Sequence, residues 1–314
     1  MNIEDLLRET LSDMAHEEQP PPPGRFLQVN RGRPRRRGLA LAAAAAVTVM
    51  AVGSTLVVQG LSSVSKDVAG QGSGETLVDT KQGQITLTVR EGLRLSQILK
   101  QLSTATGRPL VEFERAAKDG RALGLPAYAK GELEGFAFPG TYEVSPTSRP
   151  AEILAAMVTR FDRAAEESNL VDGARRVGRT PLEILTIASI VQAESLDKRA
   201  MPKIARVIYN RLKHAPEMKL RMDSTVLYGL NKFGATASNE DLKSRSPYNT
   251  YARLGLPPGP ICNPGTDAIA AALKPDSGPW LYFVTIDPKT GVTKFAGSPS
   301  EYDKLVEEYR KNTG

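Results

Sequence analysis

The sequence has a single cysteine, Cys262, two histidines, His16 and His214, and one tryptophan in 314 residues. One thiol cannot close an internal disulfide and is compatible with any redox compartment. One cysteine and two widely separated histidines do not make a zinc constellation. There is no Walker loop and no dinucleotide glycine fingerprint, so neither a metal nor a cofactor is expected. A general basic surface is lacking too. The formal net charge is +6, but five positive charges are the arginines of RGRPRRR, residues 31–37. Basicity this local does not point to a nucleic-acid partner, and the first eighteen residues lean acidic, with Glu4, Asp5, Glu9, Asp13, Glu17 and Glu18 against Arg8. Apolar residues at 40% and charged ones at 24% are ordinary for a globular chain with ample material for a core.

One long run lacks charge altogether: GLALAAAAAVTVMAVGSTLVVQG, immediately after the arginines. At 1.5 Å per residue a helix of this length spans roughly 35 Å, enough to cross a bilayer with some tilt. Arginines on its N-terminal side place that end in the cytoplasm. No clear A-x-A site follows, so a retained anchor is expected rather than a cleaved signal peptide. The expected organisation is a cytoplasmic tail at 1–37, a transmembrane anchor at 38–61, a Gly/Ser-rich tether at 62–83, a small strand–helix module at 84–132 and a larger domain at 133–314. This makes a single-pass protein whose bulk lies outside a plasma membrane.

In the outer region Ile85, Leu87 and Val89 alternate as in a strand. Leu95, Ile98, Leu99 and Leu102 follow at helical spacing, with Gly107 as the stop. Ile153, Leu154, Met157, Val158 and Phe161 line a second helix, and Ile204, Val207, Ile208 and Leu212 a third. Residues 221–230 fit a short strand or a helix, and 280–296 a hairpin whose Trp280, Tyr282 and Phe283 are core. Helices and strands mix without repeats, which gives an α+β fold class.

The stretch TPLEILTIASIVQAES, residues 180–195, is a capped helix, with Thr180 and Glu183 forming a capping box around Pro181. At about 100° per residue Glu194 lies roughly 20° from Ile187 and 40° from Ile190, on the apolar stripe. A carboxyl there is biased towards its protonated form and suits a general acid. An ordinary ion pair with Lys198 or a nearby arginine is the alternative. Further on, SPYNTYARLGLPPGPICNPG (246–265) runs twenty residues without periodicity, and loops of that length are uncommon unless functional or disordered. Tyr248, Asn249 and Tyr251 carry the ring faces and amides that suit sugars; a loop bonded to itself is the alternative.

VREGLRLSQIL, LEGFAFPGTY, LTIASIVQAES, KIARVIYNRL, LRMDSTVLYGL, the long loop and AALKPDSGPWLYFV occur in order over residues 84–296. Together they resemble the YceG-like family of membrane-anchored endolytic murein transglycosylases. The resemblance implies a small LysM-like module, here shortened to one unit, before a mixed α+β catalytic domain. It implies cleavage of β-1,4 bonds between N-acetylmuramic acid and N-acetylglucosamine in peptidoglycan strands, leaving 1,6-anhydro ends. Membrane-bound wall-synthesis enzymes are the partners it suggests, and a bacterial plasma membrane the location. The family's catalytic acid is the second Glu of Ala-Ser-Ile-(Ile/Val)-Glu-x-Glu, which is Glu194 here. The first is replaced by Gln192, which keeps hydrogen-bonding capacity without charge and is expected beside the substrate. Asn210 is a candidate substrate contact or a helix-end contact, and Asp223 a binding residue, a second carboxylate or a cap. GVTKFAG (291–297) lacks a histidine that relatives often carry. A two-carboxylate hydrolase and a catalytically silent glycan-binding anchor are the alternatives.

Overall fold

The computed structural model describes residues 78–81 and 84–313. The expected tail, anchor and most of the tether lie outside the described residues; no helix among the described ones is long and apolar enough to cross a membrane. The end of the tether is not featureless. Val78–Lys81 forms a strand (β1) antiparallel to Gln84–Val89 (β2), with Val78 opposite Leu87. In β2 the alternation does what it predicts, burying Ile85, Leu87 and Val89. The other edge of β2 pairs antiparallel with Gly140–Val144 (β3), Ile85 facing Val144, so the sheet order is β1-β2-β3.

Between β2 and β3 run α1 (Leu95–Thr106) and α2 (Leu110–Ala117). Ile98, Leu99 and Leu102 are the buried stripe of α1, and Gly107 closes it in the left-handed conformation at φ 70°. The division expected at 132/133 does not coincide with a break in packing. The strand that closes the 84–132 unit is β3, beyond that point, and Leu87, Ile98 and Phe113 belong to the same core as Phe136, Phe161 and Ile187.

Five helices follow: α3 (Pro150–Glu167), α4 (Leu170–Arg176), α5 (Pro181–Glu194), α6 (Met201–Leu212) and α7 (Asp223–Gly229). Of the two options for residues 221–230, a short strand or a helix, the helix is formed. After the long loop come α8 (Thr266–Leu273), the hairpin β4 (Tyr282–Asp287) and β5 (Val292–Ala296), and α9 (Pro299–Thr313). Tyr282 and Ala296 pack with Tyr302 and Val306 of α9 as a separate small core.

The centre of the molecule is α5. Its capping box is formed: the Thr180 hydroxyl accepts from the Glu183 N–H at 3.2 Å, and the Glu183 carboxylate accepts from the Thr180 N–H at 2.8 Å. Beyond the cap, every residue from Ile184 to Val191 is buried, with α4, α6, α7 and α8 packed around it. The helix therefore has no single apolar stripe. Glu194 is set apart by standing at the last residue, where the helix leaves the core.

The long loop is pinned to this helix. Ser189 accepts the Ile261 N–H at its hydroxyl (3.0 Å) and the Cys262 thiol at its carbonyl (3.3 Å). Asn263, fully buried, donates to the Leu93 carbonyl and accepts from the Gly135 and Ala137 N–H groups, so one amide ties three segments together. Gly135 is required there: φ is +92°, and a Cβ would lie 2.6 Å from Pro260.

Candidate active site

At the C-terminal end of α5 opens a cavity of about 330 Å³. Glu194 sits in its wall beside Asp223 and Ser224 from the first turn of α7. Phe283 and Val284 of β4 and Tyr309 of α9 give an apolar wall. A mostly apolar cleft with a few convergent polar groups is the form a ligand site takes.

The Ser224 hydroxyl donates to Glu194 Oε1 at 2.6 Å. Burial pushes the Glu194 carboxyl above the usual range, and the Asp223 charge pushes the same way; the Ser224 hydroxyl and N–H, with Arg211, oppose it. Lys198 is not a partner. Its ammonium pairs with Asp267 at 2.6 Å and Glu91 at 3.6 Å, so the Lys198 pairing is not formed; the arginine near Glu194 is Arg211, which acts on it by charge.

Asp223 has both oxygens engaged. Oδ1 accepts from the Tyr251 hydroxyl at 2.5 Å and Oδ2 from the Ala237 N–H at 2.9 Å. Burial raises its carboxyl too, against these two donors. Arg211, 4% exposed, also lines the cavity; its guanidinium donates to the Leu281 carbonyl at 2.6 Å and to that of Leu220. Burial lowers its pKa to about 10, so it stays cationic at neutral pH and is a fixed positive charge near Glu194.

Of the residues singled out in the sequence, the structure brings Glu194, Asp223 and Tyr251 together and sends the others elsewhere. Gln192 lies outside this cavity; its Oε1 accepts the Gly265 N–H at 3.0 Å and holds the end of the long loop. Asn210 donates to the Gly278 and Trp280 carbonyls at 3.0 and 2.8 Å, anchoring the approach to β4. Asn249 is fully buried; it donates to the Leu242 and Ser244 carbonyls and accepts from the Tyr251 and Ala252 N–H groups. It builds the loop and offers no face to a sugar. Tyr248 packs against Tyr228, one turn along α7 from Ser224, with ring centroids 4.8 Å apart and the planes tilted by 58°.

That second position carries a carboxyl the sequence reading missed. Glu134 accepts from the Leu95 N–H (2.9 Å), the Asn263 amide (2.9 Å) and the Tyr228 hydroxyl (3.2 Å). Burial raises its pKa to about 7 against those donors. Arg94 lies over the Tyr228 and Phe233 rings. Ser224 and Arg211 were missed as well. Adjacency to Asp223 was the only available sign of the first, and the second reads as an ordinary amphipathic helix end.

Residues 39–308 match the YceG-like family. The chain belongs to that family. Among YceG-like relatives, an endolytic murein transglycosylase of Bacillus subtilis is 37% identical over 181 residues, covering 57% of this chain and 49% of that one. One of Streptococcus pneumoniae is 32% identical over 186 residues, covering 58% of this chain and 33% of its own. This chain thus spans half or less of the curated YceG-like relatives it matches. The 2.6 Å crystal structure of a YceG-like protein from Listeria monocytogenes superposes with a TM-score of 0.63 at 29% identity, over 72% of this chain and 76% of that one. The α+β architecture is therefore the YceG-like fold.

Proposed function

We propose that this protein is an endolytic lytic transglycosylase of peptidoglycan, with Glu194 as its single general acid and base. The observation that carries the reading is the inequality of the two carboxyls in the cavity. Both Asp223 oxygens are taken by Tyr251 and Ala237, whereas Glu194 has Oε1 bonded to the Ser224 hydroxyl and, among the described residues, no side-chain donor bonded to Oε2. A hydrolase needs a second working carboxylate to activate water or attack the sugar. A lytic enzyme needs one. Protonated Glu194 donates to the glycosidic oxygen as the bond from muramic C1 breaks. The resulting carboxylate then takes the proton of the C6 hydroxyl, whose oxygen bonds to C1 of the same ring. No water is consumed, and the tethered nucleophile avoids much of the association cost, on the order of 7–11 kcal/mol in well-oriented cases.

The names of the Bacillus and Streptococcus relatives support the substrate and the endolytic mode. The charge-free run at 38–61 behind the arginines of 31–37 supports a membrane anchor, and with it a plasma-membrane location beside wall-synthesis enzymes. The helix pair between antiparallel β2 and β3 suits a LysM-like module. The test is mass spectrometry of purified glycan strands digested by the full chain. Wild type should yield ends 18 Da lighter than hydrolytic ones, and Glu194→Gln should lose about 10²–10⁴-fold of that activity. Reducing ends would indicate a hydrolase; retained glycan binding with no product from either protein would indicate a silent anchor.

A further inference from the structure

We propose that Ser224 is a positioning residue that confines Glu194 to one working oxygen, Oε2, so that both proton transfers of the cleavage pass through the same atom. The inference rests on the reading of Glu194 given above. It starts from the 2.6 Å bond by which the Ser224 hydroxyl donates to Oε1. In a neutral carboxylic acid the carbonyl oxygen is the better acceptor, so a donor fixed at Oε1 leaves the acidic hydrogen on Oε2. In the carboxylate the same donor keeps Oε1 occupied, and the free lone pairs are again those of Oε2. Acid and base steps then follow one another without rotation of the carboxyl group.

The donor is held by backbone on both sides. The Met222 N–H donates to the Thr250 hydroxyl at 3.0 Å, and the Thr225 hydroxyl donates to the Met222 carbonyl at 2.7 Å and lies 2.8 Å from the Thr250 hydroxyl. Asp223, between Met222 and Ser224, is fixed through Tyr251 and Ala237. Ser224 therefore presents its hydroxyl from a residue whose neighbours cannot drift, and the long loop, through Thr250 and Tyr251, holds the platform. Among the described residues, the charged and titratable groups around Glu194 are Asp223 on α7, Arg211 on α6 and Tyr251 on the loop; Arg221, before α7, and Tyr302 and Tyr309, on α9, also line the cavity.

The experiment compares full-length wild type, Ser224→Ala and Ser224→Thr in detergent across a pH series, on purified glycan strands. Alanine favours helix, so the first variant should fold. Its maximal rate should fall about tenfold, in the range set by losing one hydrogen bond to a charged group. The descending limb of its pH profile should move to higher pH, since a donor that favoured the ionised form is gone, and the 1,6-anhydro product should persist. Threonine, which keeps the hydroxyl, should restore both rate and limb. In parallel, ¹³C-carboxyl NMR of the glutamates, with Glu194→Gln for assignment, should show the Glu194 midpoint higher in Ser224→Ala than in wild type. Equal losses in both variants with unmoved limb and midpoint would overturn the proposal and leave Ser224 a packing residue. If wild type makes no anhydro ends, the functional reading falls and the two-transfer role with it; the NMR midpoint still decides whether Ser224 holds Glu194.

Discussion

At the scale of single residues, the cavity separates two neighbouring acids by what each is bonded to. Glu194 is raised by burial and by Asp223. A general acid with a raised pKa keeps its proton further up the pH scale, so activity should persist above the range of an ordinary carboxyl before declining. Replacing Asp223 with Asn removes a like charge. The Glu194 pKa should then drop, and the declining limb should shift to lower pH while anhydro ends remain the product. A loss as deep as that of Glu194→Gln, read in the same glycan assay, would instead make Asp223 a reacting group. The position of Glu194 could be read from the sequence, but the reason for its burial could not. The apolar stripe used to single it out does not exist in a helix buried on every face, and the partners that tune it, Ser224 and Arg211, come from elements brought near only by folding.

Among the elements, the long loop is where sequence reading and structure differ most usefully. Its length and composition single it out, but composition cannot say which side chains face inward. Asn249 looks like a sugar ligand until its amide is found satisfied by backbone groups. Asn249→Ala should leave buried carbonyls and N–H groups without partners and destabilise the fold by about 2–4 kcal/mol, measurable by denaturant unfolding. A change within about 0.5 kcal/mol would show that water replaces the amide. The periodic helices α1, α3 and α6 were legible because each buries one face. The seven- and eight-residue helices α2, α4 and α8 were not, since a segment of that length repeats its pattern barely twice.

For the whole molecule, Glu134 couples stability to pH, because it joins the start of α1, α7 and the long loop through one carboxyl. Its folded value of about 7 lies above the ordinary 4.5. Between those values the folded chain binds the extra proton, so this group's contribution is complete below pH 4.5 and is lost as pH rises through about 7, on the order of 3 kcal/mol in all. Glu134→Gln should flatten that part of the stability curve in denaturant titrations between pH 5 and 8. A curve as steep as wild type would assign the slope to other carboxyls. A related limit holds for the sheet: β3, beyond the expected 132/133 division, pairs with β2 before it, a long-range pairing that no local pattern announces.

The lone thiol gains a use from its position. Cys262 is buried against Ser189, and burial raises its pKa well above that of a free cysteine, so it is both sheltered and unreactive in the folded chain. Being the only cysteine, it makes the native protein its own clock. The rate at which an alkylating reagent marks it measures how often the long loop lifts from α5, with no label introduced and no background to subtract.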